Sequence, residues 1–242
     1  MDTPDAPAVQ GPDAEHPVVV DYTGDWPARA ASLIATLRDR LGARAERIEH
    51  IGSTAIPGMA AKDVLDLQAT VTSLEDAVRD FDGPLGSLGF HRTPYERDHV
   101  PAGWPDDGSE WVKRLWARRE HPGGDVNLHV RLDGSPNERL ALLFRDWFRA
   151  HPEAVPAYAA FKRSLAVAVP DIATYSNVKD PIVDLVITMA GTWATATGWQ
   201  PSRDNPSGQV LPPGLHASDE LPPPGGLKGQ DDLGPDGGRV TG

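Results

Sequence analysis

The chain has no cysteine among its 242 residues, and this absence excludes disulfide scaffolds, thiolate catalysis and zinc sites built on cysteine. It also has no stretch of about 18 apolar residues, the minimum for a helix that crosses a membrane. Residues 1–17 lack the basic and apolar regions of a secretory signal. We therefore predict a cytoplasmic protein that has no membrane partner.

Positive charge is also scarce, because 23 lysines and arginines face 35 acids and leave a net charge of −12. Residues 113–163 are the exception, with ten basic side chains against six acidic ones. A local positive region in an acidic protein fits a small anionic ligand better than a nucleic acid polymer, which needs a broad basic surface. The composition does not specify an oligomeric state.

Both ends of the chain are predicted to be disordered. Residues 1–17 carry four acids and no base, and residues 201–242 contain eight prolines and nine glycines without a fixed period. Segments of this kind bury too little apolar surface to offset the entropy of ordering. We therefore expect one folded domain over residues 18–199, preceded by a disordered extension over 1–17 and followed by a disordered tail over 200–242.

Helix and strand periodicities alternate through this domain and predict an α+β fold, with a mixed β-sheet packed against helices. Strands are predicted near Val18–Val20, Ile48–Ile51, Leu65–Val71, Phe90–Pro94, Trp111–Arg118 and Asp125–Leu132. In the last of these, four polar residues from Asp125 to Arg131 alternate with four apolar ones. One face of that strand is therefore expected to pack on the core and the other to present polar groups.

Capping residues and proline set the expected helix boundaries. The first helix is predicted to be capped by Asp25, and the second to follow the capping pair Ser73 and Asp76 and to end at Gly83-Pro84. A capping box over Ser135–Glu138 opens the third helix. Two more helices, over about residues 153–169 and 180–195, make the C-terminal part of the domain helical.

The densest group of functional signals lies between His50 and Gln68. Gly52 can adopt backbone angles closed to other residues, so the amides of Gly52, Ser53 and Thr54 can point together at an anion. Lys62 adds positive charge, and Asp66 follows on a strand that faces the same pocket. This layout is typical of a site for a phosphate-bearing ligand.

The run from His50 to Asp66, H-I-G-S-T-A-I-P-G-M-A-A-K-D-V-L-D, resembles the signature of the GrpB family. The resemblance extends from about Val18 to about Trp199. Later positions that match the family are Asn127–Val130, Phe144–Asp146, Tyr158 with Lys162, and Tyr175 with Lys179. The family has a fold similar to that of the nucleotidyltransferase superfamily, so the resemblance implies a nucleotidyltransferase-like fold for this chain.

The resemblance also implies candidate site residues. Nucleotidyltransferases hold triphosphate at a Gly-Ser turn and Mg²⁺ between two carboxylates of the strand that follows. By this analogy Asp66 is a catalytic residue and the Mg²⁺ ligand, but the second carboxylate is replaced by Gln68. His129, on a later strand, is the other catalytic candidate. The candidates for binding nucleotide or phosphate are His50, Gly52, Ser53, Thr54, Lys62, Lys113, Arg131 and Lys162.

Several of these residues also have a purely structural interpretation. His50 and His129 are equally well explained as hydrogen-bonded histidines of the sheet, and Asp66 can accept a hydrogen bond from a backbone amide. Arg145 and Asp146 are better explained as an ion pair on one helix. A structural role predicts partners within the protein, whereas a ligand role predicts polar groups that face open space.

Two functions of different classes therefore stay open. The chain is either a nucleotidyltransferase that binds a nucleotide or another phosphorylated small molecule with Mg²⁺, or a catalytically degenerate ligand-binding or regulatory module. Gln68 favours the second function, because a neutral amide is a poor metal ligand. Some members of the GrpB family are fused to dephospho-coenzyme A kinase, and this analogy links either function to nucleotide or coenzyme A metabolism.

Overall fold

A computed structural model describes residues 15–106 and 108–201. The predicted disordered segments, 1–17 and 200–242, lie outside the described residues except for residues 15–17, 200 and 201. The strands are β1 (Arg47–Ile51), β2 (Val64–Val71), β3 (His91–Arg92), β4 (Arg114–Arg118) and β5 (Asp125–Leu132). The α-helices are α1 (Asp25–Leu41), α2 (Leu74–Gly86), α3 (Pro136–Ala150), α4 (Val155–Ala168) and α5 (Ile172–Thr197).

The five strands form one mixed sheet in the order β1-β2-β5-β4-β3. β2 and β5 are parallel at its centre, and the remaining neighbours are antiparallel. The parallel register places Asp66 beside Asn127 and Gln68 beside His129. Because alternate residues of a strand point to the same face, all four side chains lie on one face of the sheet.

The other face of the sheet is apolar and packs against α1 and α2. Its buried residues include Leu65 and Leu67 of β2 and Leu128 of β5, together with Trp26 of α1 and Phe81 of α2. A second apolar cluster joins α3, α4 and α5 to the segment 56–60 after β1. The predicted α+β class, the mixed sheet and the helical C-terminal part are therefore confirmed. None of the helices in the described part of the chain has the length and apolar character needed to span a bilayer.

Some predicted helix boundaries were wrong, for identifiable reasons. α1 already includes Asp25, and its cap residue is Gly24, which has no side chain to accept a hydrogen bond. α2 continues through Pro84 to Gly86; a proline so near the end removes only one intrahelical hydrogen bond. α5 begins at Ile172 rather than near residue 180, because the Asp171 side chain accepts a hydrogen bond from Thr174 N at 2.7 Å.

Other local differences concern caps and strand length. Ser73 accepts from Asp76 N as predicted, but the capping box before α3 does not form. Ser135 Oγ donates to Leu132 O instead, and the Glu138 carboxylate pairs with Arg47 of β1. The predicted first strand is reduced to a single bridge between Val20 and Ala61.

Candidate functional site

A cavity of about 780 Å³ lies over the polar face of the sheet. It is bounded by the turn after β1, by the connection between β3 and β4, and by α3, α4 and α5. Most of the predicted site residues line it: Gly52, Ser53, Thr54, Lys62, Asp66, His129, Arg131 and Lys162. The lining does not include His50 or Lys113.

The turn after β1 and the Asp66 carboxylate form adjoining parts of the cavity wall. Gly52 has φ +69°, which favours glycine, and a Cβ atom there would lie 2.6 Å from Asp66 Oδ2. A single turn of 3₁₀ helix follows, in which Ala55 N and Ile56 N donate to Gly52 O and Ser53 O. The N–H groups of Ser53 and Thr54 have no acceptor within this turn. Glycine is thus required at position 52 both by the backbone angle and by the approach of Asp66.

Replacing Gly52 by alanine is expected to lower the free energy of unfolding more than the same change at Gly58. Gly58 has φ +77°, but its added Cβ would meet nothing closer than 3.7 Å. Gly58→Ala should therefore lower the free energy of unfolding by about 1–2 kcal/mol through backbone strain alone. Gly52→Ala should cost about 1–3 kcal/mol more, because of the contact with Asp66. Urea denaturation of both variants checks this, and equal losses would contradict the close approach.

Asp66 is held by neighbouring side chains on the sheet. Its Oδ1 accepts a hydrogen bond from Asn127 Nδ2 at 2.9 Å and lies 3.6 Å from His129 Nε2. Asn127 is oriented in turn by Arg119, which donates to its Oδ1 at 2.6 Å. Burial alone would raise the pKa of Asp66, but His129, Asn127 and the charge of Lys179 hold it well below the usual range. The carboxylate is therefore ionised at neutral pH.

The two predicted histidines are neutral at pH 7. Burial, Lys113 and Arg131 lower the pKa of His129 to about 4, so His129 lines the cavity as an uncharged imidazole. Burial likewise lowers the pKa of His50 to about 4. The Nε2 atom of His50 lies 2.8 Å from Thr54 Oγ1, so this histidine supports the turn rather than the cavity surface.

Two of the predicted counter-charges, Lys113 and Arg131, already have a carboxylate partner. Asp98 accepts from Lys113 Nζ at 2.6 Å and from Arg131 Nε at 2.8 Å. Asn137 Nδ2 adds a further hydrogen bond at 3.0 Å. Burial opposes ionisation of Asp98, but Arg131 and Lys113 hold its pKa far below the usual range. The sequence prediction missed Asp98, which lies in the irregular connection between β3 and β4.

Gln68 is buried and uses both ends of its amide within the protein. Nε2 donates to Glu138 O at 3.2 Å, and Oε1 accepts from Arg131 at 2.5 Å. Asp63 does not replace the missing carboxylate, because it accepts from Trp26 Nε1 and from Arg29, each at 2.8 Å. Asp66 is thus the acidic side chain that β2 directs to the cavity.

This donor set does not fit the two-carboxylate magnesium site that the family resemblance implies. An amide nitrogen of Asn127 already occupies one oxygen of Asp66, and Mg²⁺ prefers several oxygen ligands. Within residues 15–106 and 108–201, no group of three or more His, Asp or Glu side chains is arranged to hold a metal ion. Binding of Mg²⁺ at Asp66 alone stays a prediction.

Lys162 of α4 is a buried lysine that lines the cavity and forms no salt bridge within the described residues. The residue is 3% exposed, and no carboxylate of the described part of the chain lies within 4.0 Å of its Nζ. Burial and the charges of Lys179 and Lys62 lower the pKa of Lys162 to about 7, although the charge of Asp66 opposes the shift. A buried cation without a partner is costly, so an anion in the cavity would be strongly stabilised there.

Two arginines of α3 stabilise the turn at Ser53 and Thr54 through hydrogen bonds to the backbone on either side of it. Arg145 donates to Glu49 at 2.7 Å and to His50 O at 3.0 Å, and also pairs with Asp146. Arg149 donates to Ala55 O through two nitrogens, at 3.0 and 2.9 Å. The structural interpretation of Arg145 therefore agrees with these contacts, and its charge serves to fix the backbone of the turn.

Comparison with known proteins gives consistent matches. The family model described as GrpB protein matches residues 16–188. The chain is 40% identical over 195 residues to the dephospho-CoA kinase of Mycolicibacterium paratuberculosis and 34% identical over 195 residues to that of Mycobacterium bovis. Each alignment covers 73% of this chain but 46% of the relative, so the chain spans about half the length of these relatives. The crystal structure of the conserved protein GrpB from Enterococcus faecalis is 25% identical with a TM-score of 0.58, over 73% of this chain and 99% of that one.

Proposed function

This chain belongs to the GrpB family, and we propose that it binds a phosphorylated small molecule, a nucleotide or a coenzyme A precursor, in the cavity over the polar sheet face. The observation that carries the proposal is Lys162, a buried lysine that lines the cavity and has no carboxylate of the described residues within 4.0 Å of its Nζ. Proteins rarely bury such a charge unless a ligand or a counter-ion compensates it. A phosphate group supplies that compensation.

The residues around the cavity are proposed to contact different parts of the ligand. Lys162, Lys179 and Lys62 place positive charge on the cavity wall, and the Ser53 and Thr54 amides add hydrogen-bond donors for the ligand. Asp66 is ionised and repels phosphate, so it serves as an acceptor for a hydroxyl or amino group of the ligand. The ligand is thereby oriented with its anionic part away from β2.

A binding or regulatory module fits this site better than nucleotidyl transfer. The Gln68 amide is engaged by Glu138 O and Arg131, so it offers no free oxygen to a metal ion. The relatives named dephospho-CoA kinase make dephospho-coenzyme A the first ligand to test. This molecule carries an adenine nucleotide, in keeping with the nucleotide expected from the sequence.

Isothermal titration with AMP, dephospho-coenzyme A and coenzyme A, in Mg²⁺ and in EDTA, tests the proposal. These compounds are preferable to ATP and CTP, which themselves chelate the metal. We expect one-to-one binding of at least one compound, with affinities in Mg²⁺ and EDTA that differ by less than about threefold, or about 0.7 kcal/mol. Asp66→Asn should weaken binding equally in both buffers.

The matched control is Asp63→Asn, which removes a carboxylate that faces Trp26 and Arg29 instead of the cavity. This variant should bind as the wild type does. Binding that requires Mg²⁺ and disappears in Asp66→Asn would support the nucleotidyltransferase function instead. Failure of all three compounds to bind would overturn the proposal.

A further inference from the structure

Two neighbouring helices present the same pair of residues to the cavity. Tyr158 and Lys162 lie four residues apart on α4, and Tyr175 and Lys179 lie four residues apart on α5. Residues with this spacing share one face of a helix, and all four line the cavity. We call these four residues the tyrosine–lysine subsite.

In the described residues one hydroxyl of the subsite has no hydrogen-bond partner and neither lysine has a carboxylate partner, although Lys162 Nζ lies 5.8 Å from the centroid of the Tyr158 ring. Tyr175 is 2% exposed, and its hydroxyl is a buried oxygen for which residues 15–106 and 108–201 provide no hydrogen-bond partner. Neither Lys162 nor Lys179 has a carboxylate of the described chain within 4.0 Å of its Nζ. A buried hydroxyl without a partner costs stability, so an acceptor with negative charge would stabilise Tyr175 of α5 and also the lysines of both helices.

The two tyrosines remain neutral hydroxyl donors at physiological pH. Burial raises the pKa of Tyr175 to about 12, and burial together with Tyr175 raises the pKa of Tyr158 further above its ordinary value. The subsite therefore offers two ammonium groups and two hydroxyl groups. An isolated carboxylate, with one charge and two oxygens, would use only part of this set.

We propose that the tyrosine–lysine subsite binds a terminal phosphate of the ligand, a phosphomonoester, in preference to a phosphate within a diester or a diphosphate bridge. A phosphomonoester has three terminal oxygens and a charge of about −1.5 to −2 near pH 7. Two lysines and two hydroxyl donors match that charge and those acceptors, whereas a diester phosphate has one charge and two free oxygens. This inference rests on the proposed function and specifies which phosphate Lys162 contacts.

The inference also changes the role of the turn after β1. The family resemblance implies that the Gly52-Ser53 turn holds the phosphates, but the cavity-lining hydroxyl without a hydrogen-bond partner in the described residues is on α5, and the two lysines without a carboxylate within 4.0 Å are on α4 and α5. The amides of Ser53 and Thr54 are then left for another part of the ligand. Ser53→Ala, which removes the hydroxyl and keeps the amide, should consequently affect all ligands alike, with or without a terminal phosphate.

Two matched ligand pairs test the preference at pH 7. AMP and cyclic AMP share base and ribose but differ as monoester and diester, and coenzyme A differs from dephospho-coenzyme A by one terminal phosphate. We expect the monoester member of a pair to bind at least about tenfold more tightly in wild-type protein, as measured by titration calorimetry. In Lys179→Met and Tyr175→Phe this ratio should fall below about threefold, whereas Ser53→Ala should keep it.

Control variants distinguish the specific effect of the subsite substitutions on affinity from general effects of changing charge or stability. Arg163→Met removes a cation of α4 that pairs with Asp21 and does not line the cavity, and Tyr22→Phe removes a hydroxyl elsewhere. Both should keep the tenfold ratio. Free Tyr175→Phe should unfold at the same temperature as the wild type or above it, because the substitution removes a hydroxyl without a partner.

The possible outcomes distinguish this inference from the proposed function. Equal affinity for both members of each pair would overturn the preference for a terminal phosphate while leaving ligand binding intact. No binding of any of the four compounds would overturn both. A tenfold ratio that persists in Lys179→Met and Tyr175→Phe would show that other residues recognise the terminal phosphate. That result would overturn its assignment to the tyrosine–lysine subsite.

Discussion

Lys162→Met is expected to weaken the binding of phosphorylated ligands about 100-fold while it makes the free protein more stable. The loss of affinity, about 3 kcal/mol, is in the range for removing a buried charged partner from a complex. The gain of about 1–4 kcal/mol in the free energy of unfolding takes the range seen when buried ion pairs are replaced by apolar side chains of similar size. Titration calorimetry and urea denaturation measure the two effects.

The matched control is Arg163→Met on the next residue of α4. Arg163 is exposed and pairs with Asp21, so its removal should change the free energy of unfolding by less than about 1 kcal/mol and leave affinity unaltered. A Lys162→Met variant that is less stable than the wild type would contradict the conclusion that residues 15–106 and 108–201 give this lysine no carboxylate partner.

The same lysine predicts a pH dependence with a defined sign. Its pKa falls from an ordinary 10.5 to about 7 in the folded chain, so the unfolded chain binds more protons between these values. The wild type should therefore gain stability relative to Lys162→Met as pH rises from 7 to 10. An anionic ligand favours the charged amine, so binding at pH 8 should take up protons and weaken as pH rises.

Calorimetry in two buffers with different ionisation enthalpies measures this proton uptake. The phosphate of a monoester is already a dianion at pH 8, and His50 and His129 are neutral there. Lys162→Met should take up no protons under the same conditions. Wild-type binding without proton uptake would show that the ligand does not contact Lys162.

Asp98→Asn is expected to lower the free energy of unfolding by about 3–5 kcal/mol, the cost of removing one partner from a buried ion pair. Asp98 accepts from Lys113, Arg131 and Asn137, and the substitution leaves two buried cations without their carboxylate. Asp106→Asn is the matched control, since Asp106 pairs with Arg97 at an exposed position and should change stability by less than about 1 kcal/mol.

The difference between wild type and Asp98→Asn should depend on pH. The pKa of Asp98 in the folded chain lies below its ordinary 3.8, so its stabilising effect is fully present above that value and is lost as pH falls below it. Urea denaturation at pH 7 and pH 3 measures the change. A small difference at pH 7 would mean that Lys113 and Arg131 find other acceptors when the carboxylate is removed.

Periodicity was sufficient to predict the α+β class and the two central strands, but β3 consists of two exposed residues without an apolar pattern. The alternation in β5 correctly predicted a polar sheet face, and the parallel pairing of β2 with β5 brings that face together with Asp66. The family resemblance and the α+β class were confirmed. Helix boundaries were less predictable, since Asp171 caps α5 through a single side-chain hydrogen bond.

The surroundings of the site residues could not be predicted in the same way. Lys113 and Arg131 were expected to face the ligand, but Asp98 reaches them from an irregular connection whose path has no sequence period. Lys162 and Lys179 show the reverse case. Their spacing from Tyr158 and Tyr175 is visible in the sequence, yet the absence of a carboxylate beside them in the described part of the chain emerges only from the packing of α4 and α5.

The two hydrogen bonds of Gln68 constrain how this protein can change over evolutionary time. A glutamate at position 68 would set a carboxylate oxygen against Glu138 O, where an amide nitrogen now donates. It would also compete with Asp98 for Arg131. A single codon change would therefore not recreate a pair of metal-binding acids on β2, because the backbone of α3 and the charges around Arg131 would have to adapt together. The hydrogen bonds to Glu138 O and Arg131 therefore disfavour replacement of this glutamine by an acid.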